Sequence, residues 1–168
     1  MKLIVAVDKK WGIGKNNGLL FSLKEDMRFF RLTTTGKTVV MGSNTLKSFP
    51  GGSPLKNRNN IVLYPGGEKR DDCLVVNSPE ELFSVLKSLD GDEVFVIGGA
   101  MMYKTLLPYC DTVFVTKVNA DGDATVFFEN LDEHPDFCCV FEGEPLSDNG
   151  YEIRFTTYKN NALRVIGG

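Results

Sequence analysis

Histidine is almost missing from this chain of 168 residues: there is one, His134, beside one tryptophan, Trp11, and four cysteines. Cys73, Cys110, Cys138 and Cys139 contain no CxxC spacing. A zinc site or a Cys/His nucleophile pair is therefore not expected. His134 falls in a polar turn, Asp132 to Asp136, and reads as a surface residue with no catalytic duty. Cys138 and Cys139 are neighbours in a strand-like segment and should face opposite ways. Reduced thiols and a cytoplasmic location are the simplest account of them. No apolar run is long enough to cross a membrane. The apolar stretch after Lys2 is too short for a signal peptide and reads as a first strand. Positive charge is not in excess; the net charge of −3 argues against nucleic acid or an anionic membrane as partner. Neither G-x-G-x-x-G nor G-x-x-x-x-G-K-[ST] occurs, which excludes the usual Rossmann fingerprint and the P-loop. Repeats, low-complexity tracts and linkers are absent, and no heptad or long apolar stripe calls for a partner copy, so a monomer is expected.

What is present is ordinary in amount: 42% hydrophobic and 24% charged residues, enough for a real core. One domain over 1–168 is expected. Compact apolar runs predict strands at Lys2–Val7, Lys37–Met41, Asn60–Leu63, Cys73–Val76, Glu93–Ile97 and Thr112–Thr116. Two late strands, near Phe137–Phe141 and Tyr151–Tyr158, should pair as a hairpin around Gly143–Gly150. Helices fill the gaps: Leu23–Arg31, Ser43–Phe49, a helix from Pro79 to about Leu89, and Met101–Leu107 ended by Pro108. Ser78, Pro79 and Glu81 form a strong helix start, and Ser22 with Glu25 predicts a capping box for the first helix. Alternating strands and helices imply an α/β fold with a mostly parallel sheet, helices on both faces and an antiparallel C-terminal edge.

Asp26 is the informative residue. On a helix its neighbours one turn on are Phe29 and Phe30, so the carboxylate looks toward an aromatic face. A carboxylate there has its pKa pushed up and can bind or protonate a cationic or amide-like ligand. Upstream, Trp11 to Phe21 is a long glycine-containing loop with apolar residues, the pattern of an active-site lid. Two segments run strand, glycine, helix: Met41-Gly42-Ser43-Asn44-Thr45 and Ile97-Gly98-Gly99-Ala100-Met101-Met102-Tyr103. Glycine lets backbone approach a ligand, and helix starts offer N–H groups to phosphate, so two such junctions on one sheet suit a pyrophosphate.

Taken together the chain resembles dihydrofolate reductase of the bacterial type. The resemblance rests on Ile4–Asp8, Gly12-Ile13-Gly14, Leu23–Asp26 with Phe30, Val40–Thr45, Arg58–Ile61, Val96–Ala100 with Tyr103, and Thr116. It implies an eight-stranded sheet and an NADPH-dependent hydride transfer to C6 of dihydrofolate with protonation at N5, serving one-carbon metabolism. It implies that Asp26 grips the pterin and promotes protonation through water, and that Val5, Ala6 and Thr116 shape the pterin pocket. Phe30, Leu19 and Leu55 would pack on the substrate, and Arg58 would take the glutamate α-carboxylate as a guanidinium fork. Ile97 and Tyr103 would flank the nicotinamide. Gly98-Gly99 matches the family's cis step. Ile13, Gly14, Gly42, Ser43, Asn44, Thr45, Leu63, Tyr64, Ala100, Met101 and Met102 complete the implied cofactor site. Dihydrofolate and antifolate-like molecules are the implied partners.

The departures lie at the lid and the phosphates. Where the family carries Pro-Trp in the lid, this chain has Leu20-Phe21, and Phe21 lacks the indole N–H that helps hold a water near the acid. Where the family often has Arg after the first glycine, this chain has Ser43-Asn44; after the second pair it has Ala100-Met101. Lys69 and Arg70 are candidates to replace the lost cation at the 2′-phosphate, and NADH tolerance becomes plausible. A riboflavin-pathway reductase on the same fold and a folate-binding protein without turnover are the alternatives. Asp26 with Phe30 and Arg58 favours the folate enzyme. The stretch Asp121–Thr125 is assigned no role.

Overall fold

The computed structural model describes residues 1–16 and 18–167. Its centre is six parallel strands: β1 (Lys2–Val7), β3 (Thr38–Gly42), β4 (Asn59–Leu63), β5 (Leu74–Val76), β6 (Val94–Gly98) and β7 (Thr112–Val118). β1 lies between β7 and β6, and β3, β4 and β5 extend the sheet beyond β6. β11 (Tyr151–Asn160) adds antiparallel to β7. Its outer edge is shared by β10 (Leu146–Asp148) near one end and β9 (Phe137–Glu142) near the other. The sheet is thus eight positions wide, mostly parallel, with an antiparallel edge. The expected late hairpin exists, but it holds a third strand. The tight turn is Asn149-Gly150, both with positive φ, rather than the whole Gly143–Gly150 stretch.

The apolar runs are continuous because both faces of the sheet are covered. Alternation sends Val40 of β3 and Val96 of β6 into one core, with Leu3, Val5, Val7, Val113 and Val115. Val39 and Met41 join Phe95, Leu46 and Val62 in a second core on the other face. The first core lies under α3 (Pro79–Lys87) and α4 (Ala100–Leu106), which contribute Leu82, Leu86, Met102 and Leu106. The second receives Leu46 of α2 (Ser43–Ser48) and, partly buried, Phe49, Leu55, Ile97 and Phe114. α1 (Lys24–Thr34) packs on this second face through Phe29, whose ring centroid is 4.9 Å from Phe155 and 6.0 Å from Phe114.

The lid is less free than a solvated loop. Trp11 is buried in the first core against Phe128 and Tyr158. β2 (Gly12–Gly14) pairs with β8 (Val126–Phe127), a two-stranded ribbon the sequence did not announce. The Asp121–Thr125 stretch gains a place here: Gly122 N–H donates to buried Asp8 at 3.0 Å, Thr125 N–H to Gly14 O at 2.9 Å, and Asp121 pairs with Lys10. Asn17 of the lid lies outside the described residues. His134 is half-buried, edge-on to Phe137, and accepts the Asp136 N–H through Nδ1. It is thus a turn-stabilising side chain more than the surface residue expected.

Candidate active site

Asp26 sits in the first turn of α1, and its carboxylate is met from β7. The hydroxyl of buried Thr116 donates to Asp26 Oδ1 at 2.7 Å. Burial raises the Asp26 pKa above the usual carboxylate range. The Thr116 hydrogen bond opposes that shift, and the negative charge of Asp148 adds to it. Such an acid holds a proton nearer to neutrality than an exposed aspartate does.

Ser22 does not cap α1. The N-cap is Leu23, which offers no side-chain acceptor, and the expected capping box is not made. Asp148 takes its place from the β10–β11 turn. Its Oδ1 accepts Lys24 N–H at 2.9 Å; its Oδ2 accepts Glu25 N–H at 2.7 Å and Asp26 N–H at 3.2 Å. A carboxylate wins over a serine hydroxyl because it accepts several donors at once and its charge faces the positive end of the helix dipole.

The implied pterin pocket is only partly as the sequence placed it. Ile4, Ala6, Ile97 and Thr116 alternate away from the first core, toward α1. Val5 packs into the first core on the opposite face, so its side chain is separated from Asp26. The backbone of its neighbour matters instead: the Tyr103 hydroxyl lies 2.9 Å from both Ile4 O and Ile97 O, tying β1 to β6 beside the site. Burial pushes the Tyr103 phenol well up, and the charge of Asp26 adds to that. Phe30 and Leu55 are half-buried, while Leu19 is 79% exposed. Phe21 packs edge-on against Tyr151, with centroids 4.8 Å apart.

Arg58 donates to Lys56 O at 2.8 Å and to Thr34 Oγ1 at 3.1 Å, so its partners are a carbonyl and a hydroxyl. Burial lowers its pKa, and the neighbouring Arg31 guanidinium lowers it further. Two guanidiniums crowded together favour an anion between them. Arg31 was not singled out in the sequence.

The two glycine junctions meet. β3 and β6 are neighbours, with Met41 opposite Gly98, so Gly42 and Gly98-Gly99 open at the same sheet end. A Cβ on Gly98, whose φ is +134°, would lie 3.4 Å from Thr45 Oγ1 and 3.5 Å from the Tyr103 oxygen. The Gly98-Gly99 peptide is cis. Neither α2 nor α4 has a side-chain cap at its start. Backbone N–H groups without caps, at glycines without side-chain bulk, fit the phosphates of a dinucleotide. Ser43 and Thr45 are half-buried, Asn44 is exposed and Met101 is 76% exposed along this opening. Met102 and Leu63 are buried in the first core, so their side chains serve packing. Tyr64 is half-buried with Lys47 Nζ 4.8 Å from its ring centroid. Ile13 is partly buried against the first core and Gly14 lies in the β2–β8 ribbon. Lys69 and Arg70 are already engaged: Lys69 with Val75 O and Glu81, Arg70 in a fork onto Asp72 at 2.8 Å through both nitrogens. Both pairs are exposed, so a phosphate at this end would compete with Glu81 and Asp72 for the two cations.

Comparison with known proteins gives one answer. The family model for dihydrofolate reductase matches residues 1–160. A dihydrofolate reductase of Bacillus subtilis is 31% identical over 170 residues, covering 100% of this chain and 99% of that protein. One from Staphylococcus haemolyticus is 32% identical, covering 95% of each. A solved dihydrofolate reductase from Enterococcus faecalis, complexed with NADP(H) and RAB-propyl, superposes with a TM-score of 0.82 at 30% identity over 95% of both chains.

Proposed function

The chain belongs to the dihydrofolate reductase family, and on that premise we propose how its residues divide the work. It is an NADPH-dependent oxidoreductase that reduces dihydrofolate to tetrahydrofolate, with a hydride added at C6 and a proton at N5. The observation that carries the assignment of roles is the raised, half-buried carboxyl of Asp26 held by Thr116 beside the glycine-lined opening.

Asp26 binds the amino and N3 edge of the pterin and keeps a proton available for N5. Its charge, partly removed from water, raises the basicity of the bound ring. Thr116 fixes the carboxylate's direction. Phe30 and Leu55 wall the aminobenzoyl group, and Arg58, with Arg31 behind it, takes the glutamate carboxylate. Thr45 and Ala100 offer backbone N–H groups to the cofactor phosphates at the two junctions, and Ile97 with Tyr103 supports the nicotinamide side. NADPH, when bound, supplies the hydride. Phe21, held by Tyr151, closes the lid side over the pocket and leaves the water near Asp26 without an indole donor. Without a cation at Ser43-Asn44, and with Lys69 and Arg70 paired elsewhere, discrimination against NADH is weak. We assign the whole chain to one reductase domain, working as a cytoplasmic monomer and open to antifolate-like ligands at the same pocket. No helix among the described residues is long and apolar enough to cross a membrane.

The test is loss of reduced-nicotinamide absorbance in purified protein with dihydrofolate. Dihydrofolate-dependent oxidation is expected with NADPH, and with NADH at a rate within about tenfold, since Ser43-Asn44 lacks the charged contact that would add roughly 1.5–3 kcal/mol, a 10- to 100-fold preference. No oxidation by folded protein with either cofactor would remove the assignment of Asp26.

A further inference from the structure

We propose that Asp148 is a positioning residue for Asp26: from the β10–β11 turn it fixes the first turn of α1, and so places the carboxyl that handles the proton against β7. The inference rests on the reading of Asp26 given above. Asp148 is 4% exposed and spends both carboxylate oxygens on the N–H groups of Lys24, Glu25 and Asp26 itself. The turn that carries it is tight. Asn149 and Gly150 have φ of +50° and +83°, the pattern of a primed two-residue hairpin turn, with Asp148 and Tyr151 paired across it. The same turn grips the end of the lid: Asn149 Nδ2 donates to Ser22 O at 2.9 Å, and Tyr151 carries Phe21. One hairpin tip therefore sets both the catalytic helix and the residue where the lid joins it.

The carboxylate meets three donors where a neutral cap meets fewer, yet capping as such does not require charge. Serine, threonine and asparagine are strong N-caps, and none would place a second buried negative charge near Asp26. The groups that meet Asp26 from other elements are the Thr116 hydroxyl on β7, the Tyr103 phenol on α4 and the Asp148 carboxylate. Of those three, Asp148 brings the full charge. A neighbouring negative charge holds a proton in place, whether it rests on Asp26 or has passed to the bound pterin. The rate that needs this proton is full below the governing pKa and is lost as pH rises through it. Removing the Asp148 charge therefore moves the falling limb to lower pH.

The experiment measures single-turnover hydride transfer against pH, with dihydrofolate and NADPH, for the wild type, Asp148→Asn, Asp148→Ala and Asp26→Asn. Asp148→Asn keeps a cap acceptor and drops the charge; its midpoint should move down by about 0.5 pH unit, with the NADPH KM unchanged. Asp148→Ala also loses the cap and should show the same shift with a several-fold lower rate at every pH. If both variants melt earlier but keep the wild-type pH profile, Asp148 is a structural cap and the proposal fails. If Asp148→Ala does not fold, Asp148→Asn decides alone. If Asp26→Asn itself behaves as wild type, the reading of Asp26 fails and this inference with it. If Asp26→Asn collapses the rate while Asp148→Asn leaves the midpoint in place, only this inference is lost.

Discussion

Helices α3 and α4 begin in opposite ways. α3 closes its own start: Ser78 accepts the Glu81 N–H at 3.1 Å, and the Glu81 carboxylate accepts the Asn77 N–H at 3.0 Å. α4, like α2 beside it, starts at a glycine with no side-chain cap. α1 stands between them, capped, but by a residue more than 120 positions away. An unsatisfied helix start costs free energy, so where the chain has a local remedy and omits it, something else satisfies those donors. The difference separates a self-sufficient scaffold from a site finished by distant residues or by ligand.

Four variants sharpen that contrast or break it. The largest effect belongs to Asp26→Asn. Turnover at pH 7 should fall by about 10²-fold or more, with partial recovery at lower pH, where the substrate carries its own proton. The protein itself should become more stable. The folded state raises the pKa of Asp26, so its contribution to stability is full below the unfolded pKa and lost as pH rises through the folded one. A neutral Asn removes that loss, so the thermal midpoint should rise at pH 7 and the gain should disappear in acid. Less stable protein at pH 7 would contradict this picture. Next comes Arg58→Leu, which removes the charge proposed to meet the substrate carboxylate. We expect KM for dihydrofolate to rise by roughly 10- to 100-fold, from about 1.5–3 kcal/mol of lost hydrogen bonding, with kcat and the NADPH KM close to wild type. An unchanged KM would place the carboxylate elsewhere.

On the scaffold side, Ser78→Ala should cost about 1 kcal/mol in denaturant unfolding and leave both Michaelis constants alone. Altered kinetics in that variant would dissolve the distinction between the two regions. The smallest effect is expected from the double variant Lys69→Ala, Arg70→Ala. Both side chains are tied to Glu81 and Asp72, so KM for NADPH should change less than about twofold, within what a screened surface pair can do. A tenfold rise would return them to the cofactor site.

The sheet was legible because its strands are short, apolar on both faces and punctuated by glycine; β1 spans Lys2–Val7 as the sequence alone had it. The α3 box was legible because both partners lie within one turn. The glycine junctions could be seen singly, and their meeting at Thr45 follows from β3 and β6 being neighbours, which no local pattern states. Where reading failed, tertiary partners overrode local ones. Ser22 was a valid cap in sequence and lost to Asp148. Val5 was placed by resemblance, yet alternation turns it into the opposite core. Lys69 and Arg70 were offered as phosphate cations, and their pairing with Glu81 and Asp72 was not foreseen. One signal was available and unused: the Asn149-Gly150 pair marks a primed turn and would have put Asp148 at a hairpin tip.

The cap on α1 also sets a schedule for biosynthesis. Asp26 emerges from the ribosome early, yet Thr116 and Asp148, which hold its carboxylate and its backbone, are made 90 and 122 residues later. β1 likewise waits for its neighbours β6 and β7 before its edges are paired. A nascent chain therefore carries Asp26 through most of translation as an ordinary aspartate on an unfinished helix. The first turn of α1 is completed only when the β10–β11 hairpin docks.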